Sequence, residues 1–216
     1  MKCVAVGVLL SLLALGRPAP LSDCDTVVKP IAISREYMLG RWLYIGGSSD
    51  LPGSRSLGHL MSSAWLNLAE TSQSNVLTLT QTQRLYSKCT SLVYNVTFEN
   101  SIMLIEQPFY LKEVYLTTEP DCLVAYEEII SGRDTFTSLL MFSRTKSVSP
   151  AALEMLKRQA ECLGMTSPII VDPNYEMCPD DIQPSEGLSA LNSLLEAKMG
   201  HRVTRVLDYL FDMFVN

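Results

Sequence analysis

The chain is poor in the residues that metal and nucleophilic chemistry require. Histidine occurs only twice in 216 residues, at His59 and His201, and neither stands near a cysteine pair at ligand spacing. That leaves no metal site to predict. Basic residues are outnumbered, 17 Lys+Arg against 23 Asp+Glu, which gives a formal charge of −6 and a pI of about 5.0. With no basic stripe, nucleic acid is excluded as a partner. Long apolar runs are missing too. Val4 to Leu15 is too short for a membrane span. Behind Lys2 and ahead of the small-x-small Ala14-Leu15-Gly16, residues 1–16 read instead as an export signal, with the mature chain starting near Arg17.

Export places the chain in an oxidising, extracellular compartment and changes how its cysteines are read. Cys3 leaves with the signal, and Cys24, Cys89, Cys122, Cys162 and Cys178 remain. Four paired cysteines allow three connectivities, which the residues alone leave open.

What the sequence does have is strand pattern in quick succession. Arg41 to Gly47, Leu60 to Ala69, Val76 to Tyr86, Cys89 to Glu99, Ile102 to Glu106, Phe109 to Thr118, Cys122 to Ile130 and Thr135 to Arg144 are separated by Ser, Asn, Gly and Pro breaks. Eight short strands at this spacing predict a sandwich or a closed antiparallel barrel with room for one ligand. Gly46 to Asp50, with Pro52 and Gly53, has loop chemistry. Ser149-Pro150 opens a helix whose apolar face is Leu153, Leu156, Ala160 and Leu163, and Gly164 ends it. Residues 17–180 therefore form the barrel domain and 181–216 a tail. The tail shows two helical stretches, Ser185 to Met199 and His201 to Val215. In the second, Val203, Val206, Leu207, Leu210, Phe211 and Phe214 make one apolar face opposite Thr204, Arg205, Asp208 and Asp212. Such a helix suits a lipid or protein surface, or docking on its own barrel.

Alternate residues of a barrel strand face the interior. On Cys89 to Glu99, Leu92, Tyr94, Val96 and Phe98 share one face and Val93, Asn95, Thr97 and Glu99 the other. Asn95-Val96-Thr97 is a glycosylation acceptor pattern, and a glycan must point outward, so the first set is assigned to the interior. The same logic offers Leu77, Leu79, Gln81, Gln83 and Leu85, then Phe109, Leu111, Glu113 and Tyr115, then Val124, Tyr126 and Glu128, then Leu140 and Phe142. Trp65 joins them, although Ala64, Leu66 and Leu68 form a rival apolar face. The predicted ligand contacts are Trp65, Tyr94, Val96, Phe98, Glu113, Tyr115, Tyr126 and Phe142, an aromatic and aliphatic lining with a few polar groups. The same residues would also serve as a packed core.

Gly40-Arg41-Trp42 heads the first strand. A signal-like segment and a cysteine precede it, and a long run of strands, a helix and two cysteines follow. This arrangement resembles the lipocalin family, and within it the group containing α1-acid glycoprotein, apolipoprotein M and the fish saxitoxin/tetrodotoxin-binding proteins, over roughly Cys24 to Cys178. The resemblance implies an all-β fold: an eight-stranded up-and-down β-barrel with one C-terminal α-helix outside it and a helical tail. It implies that Trp42 plugs one end and that Arg144 stacks over it by a cation–π contact, so Gly40, Trp42 and Arg144 are structural. It also implies the pairings Cys24–Cys162 and Cys89–Cys178, leaving Cys122 either a free thiol, buried and inert, or an intermolecular link.

By the same resemblance the function is a carrier secreted to plasma, without cofactor, for a small hydrophobic or amphipathic ligand of the lipid, steroid, alkaloid or toxin class. The alternative is a sphingolipid carrier on lipoprotein particles, acting through a retained signal segment or the amphipathic tail. Departures from the pattern bear on this choice. Leu92 stands where the phosphate-binding relative has an arginine, and no second arginine lies near Tyr110; the Thr118-Glu119-Pro120-Asp121 run before Tyr126 breaks the second family signature. Glu113 and Glu128, facing inward, would favour a cationic or hydroxylated amphiphile. A lipocalin-type enzyme would use a cavity cysteine, but Cys122 has no His or Lys beside it to lower its pKa, and no enzymatic activity is expected.

Overall fold

The structure is a computed structural model. It describes residues 24–85 and 87–196, together with Arg205, Val206, Asp208, Tyr209 and Met213. The signal-like stretch, and Val203, Thr204, Leu207, Leu210, Phe211, Asp212 and Phe214 of the tail, lie outside the described residues. Among those described, no helix is long and apolar enough to cross a membrane.

Eight strands make the body: β1 (Gly40–Ser49), β2 (Met61–Glu70), β3 (Val76–Leu85), β4 (Lys88–Glu99), β5 (Ile102–Ile105), β6 (Tyr110–Leu116), β7 (Cys122–Ser131) and β8 (Asp134–Ser143). Each pairs antiparallel with the next, and β8 returns to β1, so the sheet closes on itself as an up-and-down barrel. Closure removes the free edges that an open sheet must otherwise protect. β1 runs on through Gly46 to Ser49 rather than ending at Gly47, because Gly47 to Ser49 continue the ladder with β8. The expected loop is correspondingly shorter, and a helix follows it.

The helices are α1 (Cys24–Val27), α2 (Arg35–Met38), α3 (Ser54–Leu60), α4 (Pro150–Cys162) and α5 (Leu188–Glu196). α4 packs outside the barrel as expected. The Ser149 hydroxyl accepts from the Ala152 N–H at 3.0 Å, proline opens the first turn, and Ala152, Leu156 and Ala160 are buried against Val124, Leu139 and Met141. Gln159 on the same face is fully buried and donates from Nε2 to the Val27 and Thr117 carbonyls at 2.9 and 2.8 Å, tying the N-terminal arm to the helix. Disulfides join Cys24 to Cys162 and Cys89 to Cys178.

The closed end is built on Trp42, which is 0% exposed. Gly40 reaches it with φ +85, a conformation open to glycine. The indole Nε1 donates to the Met38 carbonyl at 2.9 Å, and the Arg144 guanidinium lies 3.5 Å from the ring centroid. Arg144 also donates to the Arg41, Leu39 and Tyr37 carbonyls at 2.7, 2.9 and 2.6 Å. One planar fork thus binds the entering chain, the first strand and the ring together. Arg144→Lys keeps the charge but cannot serve three carbonyls and the ring at once. It should lower the unfolding free energy by about 1–3 kcal/mol in urea titration, and an unchanged midpoint would show that the clamp is dispensable.

Candidate ligand site in the barrel interior

The interior is one continuous apolar cluster running from Met38 and Trp42 at the closed end to Ile105 and Phe109 near the mouth. Tyr94, Val96 and Phe98 of β4, Tyr115 of β6 and Phe142 of β8 all belong to it. Tyr44 packs edge-on to Phe142 at 5.7 Å, and Phe98 lies 6.4 Å from Tyr115. The Tyr94 hydroxyl donates to Gln81 Oε1 at 3.2 Å. Asn95, next along β4, is exposed on the outer face, and its Oδ1 accepts from the Thr78 hydroxyl at 3.0 Å.

Two carboxylates interrupt this lining. Glu113 of β6 stands directly opposite Glu127 of β7, flanked on one strand by Leu111 and Tyr115 and on the other by Ala125 and Ile129. Glu113 is 9% exposed. Burial first, then the neighbouring Glu127 charge, pushes its carboxyl from 4.5 up to about 8. Burial raises Glu127 as well, against the hydrogen bonds it receives from Ser138 and Glu113. Burial and the Glu113 charge also push the Tyr115 hydroxyl up. Among the described residues no lysine or arginine acts on either carboxylate. Two like charges facing each other across one ladder favour retention of a proton by the pair, which titrates as a unit.

Two predicted contacts fall elsewhere. Trp65 pairs with Leu43 in the β1–β2 ladder and therefore faces outward, where the Arg41 guanidinium lies 4.2 Å from its ring. Ala64, Leu66 and Leu68 take the inner face, with Leu66 and Leu68 in the interior cluster. Tyr126, with Val124, packs on the outside in the cluster beneath α4, and Glu128 is exposed. The parity of β7 is thus the reverse of that expected: Leu123, Ala125, Glu127 and Ile129 face inward. Apolar residues stand on both faces of this strand because one lines the barrel and the other supports α4, so alternation carries no sign of which is which. Glu127, missed by the sequence reading, was marked only by its register opposite Glu113.

The mouth holds an element that the strand pattern did not announce. β9 (Ile169–Ile170) pairs antiparallel with β1 at Gly46 and Gly47, and β10 (Ser185–Glu186) adds parallel to β4 at Leu92 and Val93. β3 already occupies the other edge of β4, and β5 uses this one only at Thr97 to Glu99. α5 follows, with Leu195 buried in the interior cluster and Leu188 and Leu191 packed against it. Ser185 begins β10 rather than the expected helix. Farther on, the Asp208 carboxylate accepts from the Gly53 and Ser56 N–H groups at 2.8 Å, capping the start of α3. That side of the tail therefore turns toward the barrel.

No protein-family model matches the sequence, and no curated protein matches it. Solved structures do. The siderocalin Ex-FABP, described as functioning through dual ligand specificities, aligns at 13% identity and TM-score 0.55 over 69% of this chain and 95% of its own. The bovine lipocalin allergen Bos d 2 aligns at 16% and 0.55 over 68% and 99%. A dog lipocalin allergen aligns at 14% and 0.52 over 66% and 97%. This is the lipocalin fold.

Within the lipocalin fold the free thiol lies away from the interior. Cys122 is 6% exposed, belongs to the cluster beneath α4, and burial raises its pKa. It is a buried packing residue, without the depressed pKa of a nucleophile. The Glu113 shift also fixes a pH dependence. Below pH 4.5 the carboxyl is protonated in both folded and unfolded chains. As pH rises, the unfolded chain releases a proton that the folded one keeps, so stability falls until Glu113 itself ionises near 8. The loss should be on the order of a few kcal/mol between those limits, and Glu113→Gln should remove most of it. Denaturant titrations at about pH 5 and pH 8.5 measure this, and a wild-type stability that is flat with pH would contradict a buried Glu113.

Proposed function

We propose that this protein is a secreted carrier that holds a small amphipathic ligand inside its barrel. The apolar body of the ligand lies against Tyr94, Phe98 and Phe142. A positively charged or hydrogen-bond-donating group sits between Glu113 and Glu127. The observation that carries this reading is the facing pair of carboxylates in a largely apolar interior. A buried carboxylate without a cation is costly to ionise, and an ammonium between the two would supply the missing partner. Apolar burial at about 25 cal/mol per Å² provides the bulk of the affinity and the pair provides selectivity. Among the group this sequence resembles, that favours the carriers of basic ligands over a phosphate-headed sphingolipid, because phosphate would face two carboxylates. Two disulfides and the signal-like start support secretion to plasma, and the exposed Asn95 supports a glycan there.

A second reading has its own support. Val206, Tyr209 and Met213 are 59%, 69% and 52% exposed, while Asp208 anchors the same tail to α3. Their apolar surface would allow association with lipoprotein particles without involving the interior.

Isothermal titration with dodecyltrimethylammonium and with dodecanol separates charge from apolar burial. Glu113→Gln and Glu127→Gln should each weaken the ammonium by about tenfold or more, ~1.4 kcal/mol, and dodecanol by less than about threefold. The ammonium should also bind more tightly as pH rises toward about 8, because it displaces the shared proton. Equal losses for both ligands would remove the charge role, and absence of binding by either would remove the carrier reading.

A further inference from the structure

The segment following the second disulfide enters the site itself. β10 pairs with the β4 edge at Leu92 and Val93, beyond the stretch that β5 uses, and the Gly187 N–H donates to the Val93 carbonyl at 3.0 Å. There the chain turns inward over the Tyr94 ring. A Cβ on Gly187 would stand 2.7 Å from Tyr94 Cδ1 and 3.2 Å from Leu92 Cβ, so only glycine allows this approach. The Glu186 carboxylate caps the new helix, accepting from the Leu188 and Ser189 N–H groups at 2.7 and 3.1 Å. α5 then places Leu188, Leu191 and Leu195 against the same interior cluster that holds Tyr94 and Phe142.

We propose that α5 is a displaceable internal occupant of the ligand site: the chain closes its own barrel with Leu188, Leu191 and Leu195, and a ligand binds by expelling them. The proposal rests on the carrier reading above and adds its regulation. The attachment is weak compared with the barrel. The described part of the helix, Leu188–Glu196, has few buried side chains holding it to the barrel. Of its three packing leucines only Leu195 is buried, and the strand that leads in is two exposed residues. Elements with so few buried contacts open well below the global unfolding free energy. Apparent ligand affinity is then reduced by the fraction of molecules in the open state.

The test uses the full-length chain and the neutral fluorophore N-phenyl-1-naphthylamine. Leu191→Glu and Leu195→Glu disfavour docking by charge, and Gly187→Ala does so by the clash with Tyr94. Each should bind the fluorophore about tenfold more tightly than wild type. In wild-type protein, amides of 188–196 should lose hydrogen-exchange protection at saturating fluorophore while β3 and β4 keep theirs. Equal affinity in wild type and all three variants overturns the lid and leaves the carrier standing. Protection of 188–196 retained at saturation does the same. Failure of wild type and variants alike to bind overturns both.

Discussion

The barrel depends on the closure of its lower end, where one guanidinium satisfies three backbone carbonyls and covers one indole. Arg144 sits just past the last strand and Trp42 near the start of the first, so their contact fixes the register at the seam where the sheet meets itself. Backbone carbonyls at a chain crossing have no ladder partner and are costly to bury unpaired. The arginine fork satisfies them, and the ring beneath it excludes water. With that end sealed, access to the interior falls to the other end, where α5 packs.

The electrostatics of the interior are just as constrained. Glu113 and Glu127 are forced together by register, directly opposed across the β6–β7 ladder. Holding them costs stability above their ordinary pKa, and an apolar pair would pack there without that cost. Polar groups kept in a core at such expense are commonly functional. Tyr115, Ser138 and the Tyr94–Gln81 pair surround them, which gives the centre of the barrel directional hydrogen bonding within walls of leucine, phenylalanine and methionine.

Much of this was legible in the sequence. Strand spacing, the Ser149-Pro150 helix start and the Gly-x-Trp head led to the barrel and its outer helix, and the sequon on β4 fixed the inward set Tyr94, Val96 and Phe98. Parity failed where both faces of a strand are covered. β7 lies between the interior and α4, and Trp65 lies beneath Arg41, so apolar residues there alternate with other apolar residues and the period of two loses its meaning. The use of α5 was invisible for a different reason. A short run of leucines in a tail has the same pattern whether it docks inside a barrel, outside it or on a membrane.

Native mass spectrometry tests the central claim most directly, on protein harvested from the medium of cells expressing the full chain. The account predicts a population heavier than the polypeptide and its modifications, the excess being released by organic solvent as a small amphipathic amine or hydroxylated lipophile. Protein that emerges ligand-free, and remains so when offered cationic and neutral lipophiles in turn, would contradict it.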